Sequence, residues 1–236
     1  MFIRSLTLFG VLASFLIVAE TAHATTITLD ATRLGYTSRG GINQARAVPI
    51  TGTFRTYGDV FKSHYIFDLA QIKGRSVTVD SVTLQLGVHS FISAQNETLS
   101  VEGYSGDLTV LKTDNFKSPT FSTNRTIYPN FGPVSLGSRL LDANTKAGDL
   151  LSIAFNAEGL SALQTNVDGS GGSEVAFGTS FGIPVWAPQN RYLGTTTARL
   201  VIDYSDKTPT PAAVPLPASG VLLFAGLFAL FRIRRG

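Results

Sequence analysis

The chain has 236 residues, a formal net charge of +3, no cysteine, 44% hydrophobic residues and 15% charged ones. Without cysteine there are no disulfides, thiol nucleophiles or thiolate metal sites. The basic balance is no argument for a nucleic-acid partner, because Arg4, Arg232, Arg234, Arg235 and Glu20 all lie in terminal segments. Removing them from 19 Lys+Arg and 16 Asp+Glu leaves 15 of each sign between residues 25 and 214.

The first element is a leader. Arg4 supplies a positive start, Leu6 to Val18 is an apolar stretch broken by Thr7, Gly10 and Ser14, and Ala22-His23-Ala24 has the small-x-small pattern read by signal peptidase. Residues 1–24 are therefore expected to be a cleaved secretory signal peptide, with the mature chain starting at Thr25.

Residues 25–205 read as one all-β domain. Thr26 to Leu34 is strand-like, with Ile27, Leu29 and Ala31 on one face. Phe61, Ser63, Tyr65, Phe67 and Leu69 alternate with Val60, Lys62, His64, Ile66 and Asp68, as in a strand with one face in a core. Val82, Leu84, Leu86 and Val88 form another such face. Further strand-like runs are Leu99 to Tyr104, Leu108 to Leu111, Leu150 to Phe155, Glu174 to Gly178 and Ala198 to Tyr204. Between them lie turn residues at Ile72-Lys73-Gly74, Gly103 to Asp107, Gly148-Asp149 and Asp168 to Ser173. Only Asn156 to Val167 reads as a helix, with Asn156 as its N-cap and Leu160, Leu163 and Val167 on one side. Many short strands and one short helix predict a jelly-roll β-sandwich.

No catalytic constellation, metal site or cofactor is expected. His64 and His89 lack a second ligand at metal spacing, and His64 reads as a solvent-facing strand histidine, too far from Asp68 for direct contact. Asp168 and Glu174 flank a Gly/Ser loop that lacks the Asp/Asn alternation of a calcium loop, so it reads as a plain hairpin. No serine sits in a Gly-x-Ser-x-Gly elbow. Phe181 to Leu193 reads as a loop carrying Trp186, the only tryptophan, with Gln189, Asn190, Arg191 and Tyr192 after it. Aromatic faces stack on sugar rings while amides and guanidinium groups satisfy hydroxyls, so these five are candidate glycan-binding residues.

After residue 205 the composition changes. Residues 206–217 form a linker with Pro209, Pro211, Pro215 and Pro217, which favour an extended chain. Residues 218–231 are apolar except for Ser219 and two glycines, and residues 232–236 hold Arg232, Arg234 and Arg235. As a transmembrane helix, this apolar segment spans about 21 Å against roughly 30 Å of hydrocarbon. The arginines then act as a cytoplasmic stop.

Val214-Pro215-Leu216-Pro217, a short apolar helix and a terminal arginine cluster together resemble the PEP-CTERM sorting signal of Gram-negative bacteria. Many members have Glu where this chain has Leu216. The resemblance covers about the last two dozen residues and implies processing by an exosortase after transient anchoring in the inner membrane, then release to the cell surface or medium. It also suggests association with extracellular polysaccharide or biofilm. His64 to Leu69, the Gly74 turn, Val77 to Leu86 and Ala198 to Tyr204 are similar to DNRLRE-type jelly rolls of secreted bacterial proteins, which implies a fold and no activity. A non-enzymatic surface or matrix protein is the expectation, with a specific carbohydrate-binding module and a divergent polysaccharide hydrolase or lyase as its alternatives.

Overall fold

A computed structural model describes residues 24–39, 42–54, 59–93, 95–113, 128–142, 144–169, 171–182 and 190–207. The leader up to residue 23, the linker and sorting motif from residue 208, the apolar segment 218–231 and the basic tail lie outside them, while Ala24, Asp206 and Lys207 belong to the described chain. No helix among the described residues is long and apolar enough to cross a membrane.

The described chain is mostly strand: β1 Ala24–Asp30, β2 Arg33–Ser38, β3 Asn43–Ala45, β4 Ile50–Phe54, β5 Asp59–Asp68, β6 Val77–Ile92, β7 Glu97–Tyr104, β8 Phe131–Leu141, β9 Leu150–Ala154, β10 Glu174–Phe181 and β11 Arg191–Asp206. Two helices interrupt them, α1 Leu108–Lys112 and α2 Ala157–Asp168. All pairings are antiparallel. One sheet runs β1-β11-β6-β9 and the other β5-β10-β7-β8. β2 extends the second sheet beside β5, and β4 joins the two by pairing with both β5 and β11.

The expected strand Thr26 to Leu34 is corrected to two strands, for a reason visible in the backbone. Ala31 N–H donates to Ala198 O in one sheet at 2.9 Å, and Thr32 N–H donates to Ile66 O in the other at 2.8 Å. The chain changes sheets between neighbouring residues. On the far side β8 meets β9 closely: Asn156 N–H donates to Leu136 O at 2.7 Å, and a Cβ on Gly137 would stand 2.4 Å from Ala154 O. The sandwich is therefore nearly closed at both sides.

The inward faces follow the alternation in the sequence. Phe67 and Leu84 are both fully buried in one core shared by the two sheets, with Leu86, Leu99, Leu200 and Ile202 around them. Asn156 Oδ1 accepts from Gly159 N–H at 2.9 Å and caps α2 as expected, with Leu163 and Val167 fully buried on its inner side. Gln164 splices that helix to β6 by accepting from Val79 N–H and donating to Val77 O.

Three expectations are corrected. Leu108 to Leu111 is helical, because Asp107 accepts from Thr109 N–H and caps a turn whose β-branched content reads as strand. The single expected helix is thus joined by α1 and by a 3-10 turn at Tyr128–Asn130. The expected loop Phe181 to Leu193 is shorter, since β10 reaches Phe181 and β11 begins at Arg191.

Candidate functional site

β5 is buried on both faces, which corrects the reading of His64 as solvent-facing. Its second face carries Lys62, His64 and Ile66, all buried. The register puts Gly35, His64, Gly178 and Glu102 in one row across four strands. The two glycines make room beside the histidine: a Cβ on Gly35 would lie 2.5 Å from His64 Nε2, and one on Gly178 would lie 2.5 Å from the Phe131 ring. Phe131 fills that space and stacks on His64 at 6.4 Å between centroids, with Tyr104 tilted against it at 4.9 Å. Leu111 and Ala176 complete this second cluster. Phe131 at the start of β8 and Leu111 of α1 therefore roof this face of the sheet.

Under that roof Lys62 Nζ donates to Glu102 Oε2 at 2.6 Å, and Ser180 Oγ donates to Glu102 Oε1. Both charged side chains are nearly buried, at 11% and 12% exposure. The carboxylate is satisfied on both oxygens, which makes this arrangement a lock between β5, β10 and β7. His64 is buried and Asp68 exposed, so they form no dyad. At the hairpin read as a plain loop, Asp168 pairs with Lys207 at 3.0 Å and Glu174 pairs with Lys112. Among the described residues no group of three His, Asp or Glu side chains is arranged to hold a metal.

Of the five candidate glycan-binding residues, Trp186 and Gln189 lie outside the described residues, and Asn190 is exposed just before β11. Arg191 and Tyr192 are consecutive in β11, so their side chains point to opposite faces. Arg191 is held against Glu97 by a 3.2 Å ion pair, with Ser93 Oγ donating to the same carboxylate at 3.0 Å. These two residues do not form one contact surface.

A concave site lies at the other end of the domain. β8 leaves β7 through register shifts: Glu102 faces Ser135 and Tyr104 faces Phe131, so Gly132–Val134 oppose the single Gly103. The separation opens a cleft of about 380 Å³ between the two strands, the start of β10 and α2. Leu136, Val175 and Phe177 form its apolar floor, Tyr104 a wall, and Ser105, Asn166 and Glu174 polar points at the rim. Burial pushes the Tyr104 phenol above its ordinary pKa, so it stays a neutral hydroxyl, donating to Asp107 O at 3.3 Å. The sequence shows this region only as turn glycines, because a cleft made by diverging strands has no periodic signature.

No protein-family model and no curated protein matches the chain. Among solved structures it is similar to the cryo-EM structure of Mud crab tombus-like virus, at 9% identity and a TM-score of 0.32 over 94% of this chain and 97% of that one. A likeness at that level carries no argument about function.

Proposed function

We propose that this is an exported, exosortase-sorted protein of the Gram-negative cell surface or extracellular matrix, non-enzymatic and associated with exopolysaccharide. The supporting observation is the pairing of β1 with β11, in which Ala24 faces Ser205. Among the described residues the strands begin at Ala24, the last residue of the signal-peptidase pattern, and stop at Asp206 just before the proline-rich stretch. Leader and sorting segment thus join the domain side by side, at one end. A precursor held by either segment hangs from the membrane by that end, and cleavage between Ala24 and Thr25 would disturb only the first paired residues of β1. The strand orders also support a jelly roll. Leaving aside the inserted β2, β3 and β4, strands one, eight, three and six form one sheet and two, seven, four and five the other.

The test is mass spectrometry of surface and secreted protein from the native host. Material that starts at Thr25 and lacks Phe231 to Gly236 is the expected result. Mature protein still carrying that tail replaces sorting with a simple tail anchor. Deleting Val214 to Pro217 should leave a full-length membrane-held form, and changing Arg232, Arg234 and Arg235 to Ser should misplace or release unprocessed chain.

A further inference from the structure

We infer that the cleft where β8 parts from β7 is a binding site for a neutral pyranose unit of a polysaccharide. The inference rests on the polysaccharide association proposed above but uses none of the residues around Trp186.

Its size and chemistry select the ligand class. At about 380 Å³ it lies at the small end of the range typical of ligand pockets, suited to a sugar ring rather than an extended peptide. A pyranose has apolar C–H faces and a perimeter of hydroxyls that both donate and accept. The cleft offers the complement: a floor of Leu136, Val175 and Phe177, the Tyr104 ring as a wall, and an amide, a hydroxyl and a carboxylate at the rim. Glu174 is also ion-paired with Lys112 of α1, which fixes its carboxylate at the rim.

Other classes fit worse. An anion would meet Glu174 and the C-terminal turn of α2, where Asn166 sits and the helix dipole is negative. A divalent cation would find only one carboxylate among the residues lining the cleft. A hydrocarbon would strip water from the polar rim of Ser105, Asn166 and Glu174, whose remaining hydrogen-bonding capacity beyond their own partners it could not replace.

Glycine spacing gives the site a clean test. Nothing lies closer than 3.8 Å to a Cβ built on Gly132, and that atom is Gly103 O. Gly132→Leu should therefore fill the cleft while leaving the strands paired, and Asn166→Ala should remove a rim contact from an exposed helix position. Full-length protein in detergent is titrated calorimetrically with gluco-, galacto- and manno-configured tetrasaccharides, each in neutral and uronate form. At least one neutral tetrasaccharide should bind, and each variant should weaken it about tenfold or more, with melting temperature unchanged for Asn166→Ala. Preference for uronates, binding unaffected by both variants, binding abolished by Trp186→Ala alone, or no binding by any member each overturns the inference. Correct C-terminal trimming with no sugar binding sinks this inference and leaves the sorting reading standing. Sugar binding with an untrimmed tail does the reverse.

Discussion

Tyr65 Oη lies 3.1 Å from Thr195 Oγ1, so a hydroxyl pair buried in the core ties one sheet to the other. Thr179 Oγ1 stands 3.5 Å from the same phenol and 2.7 Å from Thr51 Oγ1, which in turn donates to Ser63 Oγ at 2.8 Å. The network joins β4, β5, β10 and β11 in an otherwise apolar interior. Burial raises the Tyr65 pKa, against smaller lowering contributions from the hydroxyls bonded to it, so the phenol stays neutral and remains a donor. Tyr65→Phe should cost about 1–3 kcal/mol, because Thr195 and Thr179 then keep buried hydroxyls with one partner fewer. Urea unfolding of the two proteins measures it. An unchanged midpoint would mean that the threonines re-pair among themselves.

The apolar half of the core responds differently. Phe67 and Leu84 face each other's sheets in one cluster and are both fully buried. Truncating either to Ala should cost about 2–5 kcal/mol through lost burial and a cavity. A loss below about 0.5 kcal/mol would show that the strand phase is wrong, since a one-residue slip turns every side chain outward.

That phase was legible because Val82, Leu84, Leu86 and Val88 alternate without interruption in β6, and because α2 has a capping Asn156 and a helical apolar stripe. The second face of β5 was not. Lys62 and His64 read as solvated, and Phe131 at the start of β8, distant in sequence, packs over both. β2 and β4 were missed because each contains a glycine that a tertiary neighbour requires. At Gly52 φ is +130°, and a Cβ would meet Arg191 O at 2.0 Å. The cleft was invisible for a related reason: Gly103 and Gly132 belong to strands that part company, and a sequence shows glycines there only as turns.

The Lys62–Glu102 pair should behave as a buried unit. Lys62→Met leaves the carboxylate with only Ser180 and should cost about 3–5 kcal/mol, whereas Lys62→Met combined with Glu102→Leu should recover most of that loss. The double-mutant cycle is read by chemical denaturation. Additive losses would place the pair in effective contact with water and remove its role as a lock.

Acid should loosen the domain through its strand carboxylates. Asp203 is held below the usual aspartate range because Ser81 Oγ donates to it at 2.6 Å and Thr26 Oγ1 at 2.5 Å. Asp168 is lowered by the Lys207 ammonium, and Asp68 by Ser173. With folded values below the unfolded aspartate value of about 3.9, the stabilisation is complete above it and lost as pH falls through the folded values. Melting temperature should therefore fall below about pH 4, and Asp203→Asn should flatten that acid limb while lowering stability at neutral pH. An identical acid limb in wild type and Asp203→Asn would assign the loss to other carboxylates.

The position of the two chain ends makes the last prediction. Lys207 N–H donates to Ser76 O at 2.8 Å, so the route to the sorting segment leaves beside the start of β6. β6 then runs 16 residues, about 50 Å at strand rise, before the turn that contains Gln95. The seven residues that follow Lys207, through Val214, reach only about 20 Å when extended. In a membrane-held precursor Ser76 therefore stays within reach of the bilayer, and a domain suspended from that end carries Gln95 away from it. The chain has no cysteine, so Ser76→Cys and Gln95→Cys each introduce a single labelling site, and both positions are exposed. Spin labels on these variants, in vesicles carrying a nickel-chelating lipid, should give strong relaxation at position 76 and little at 95. Equal relaxation at the two positions would mean that the domain lies along the membrane, and the suspended geometry would be abandoned.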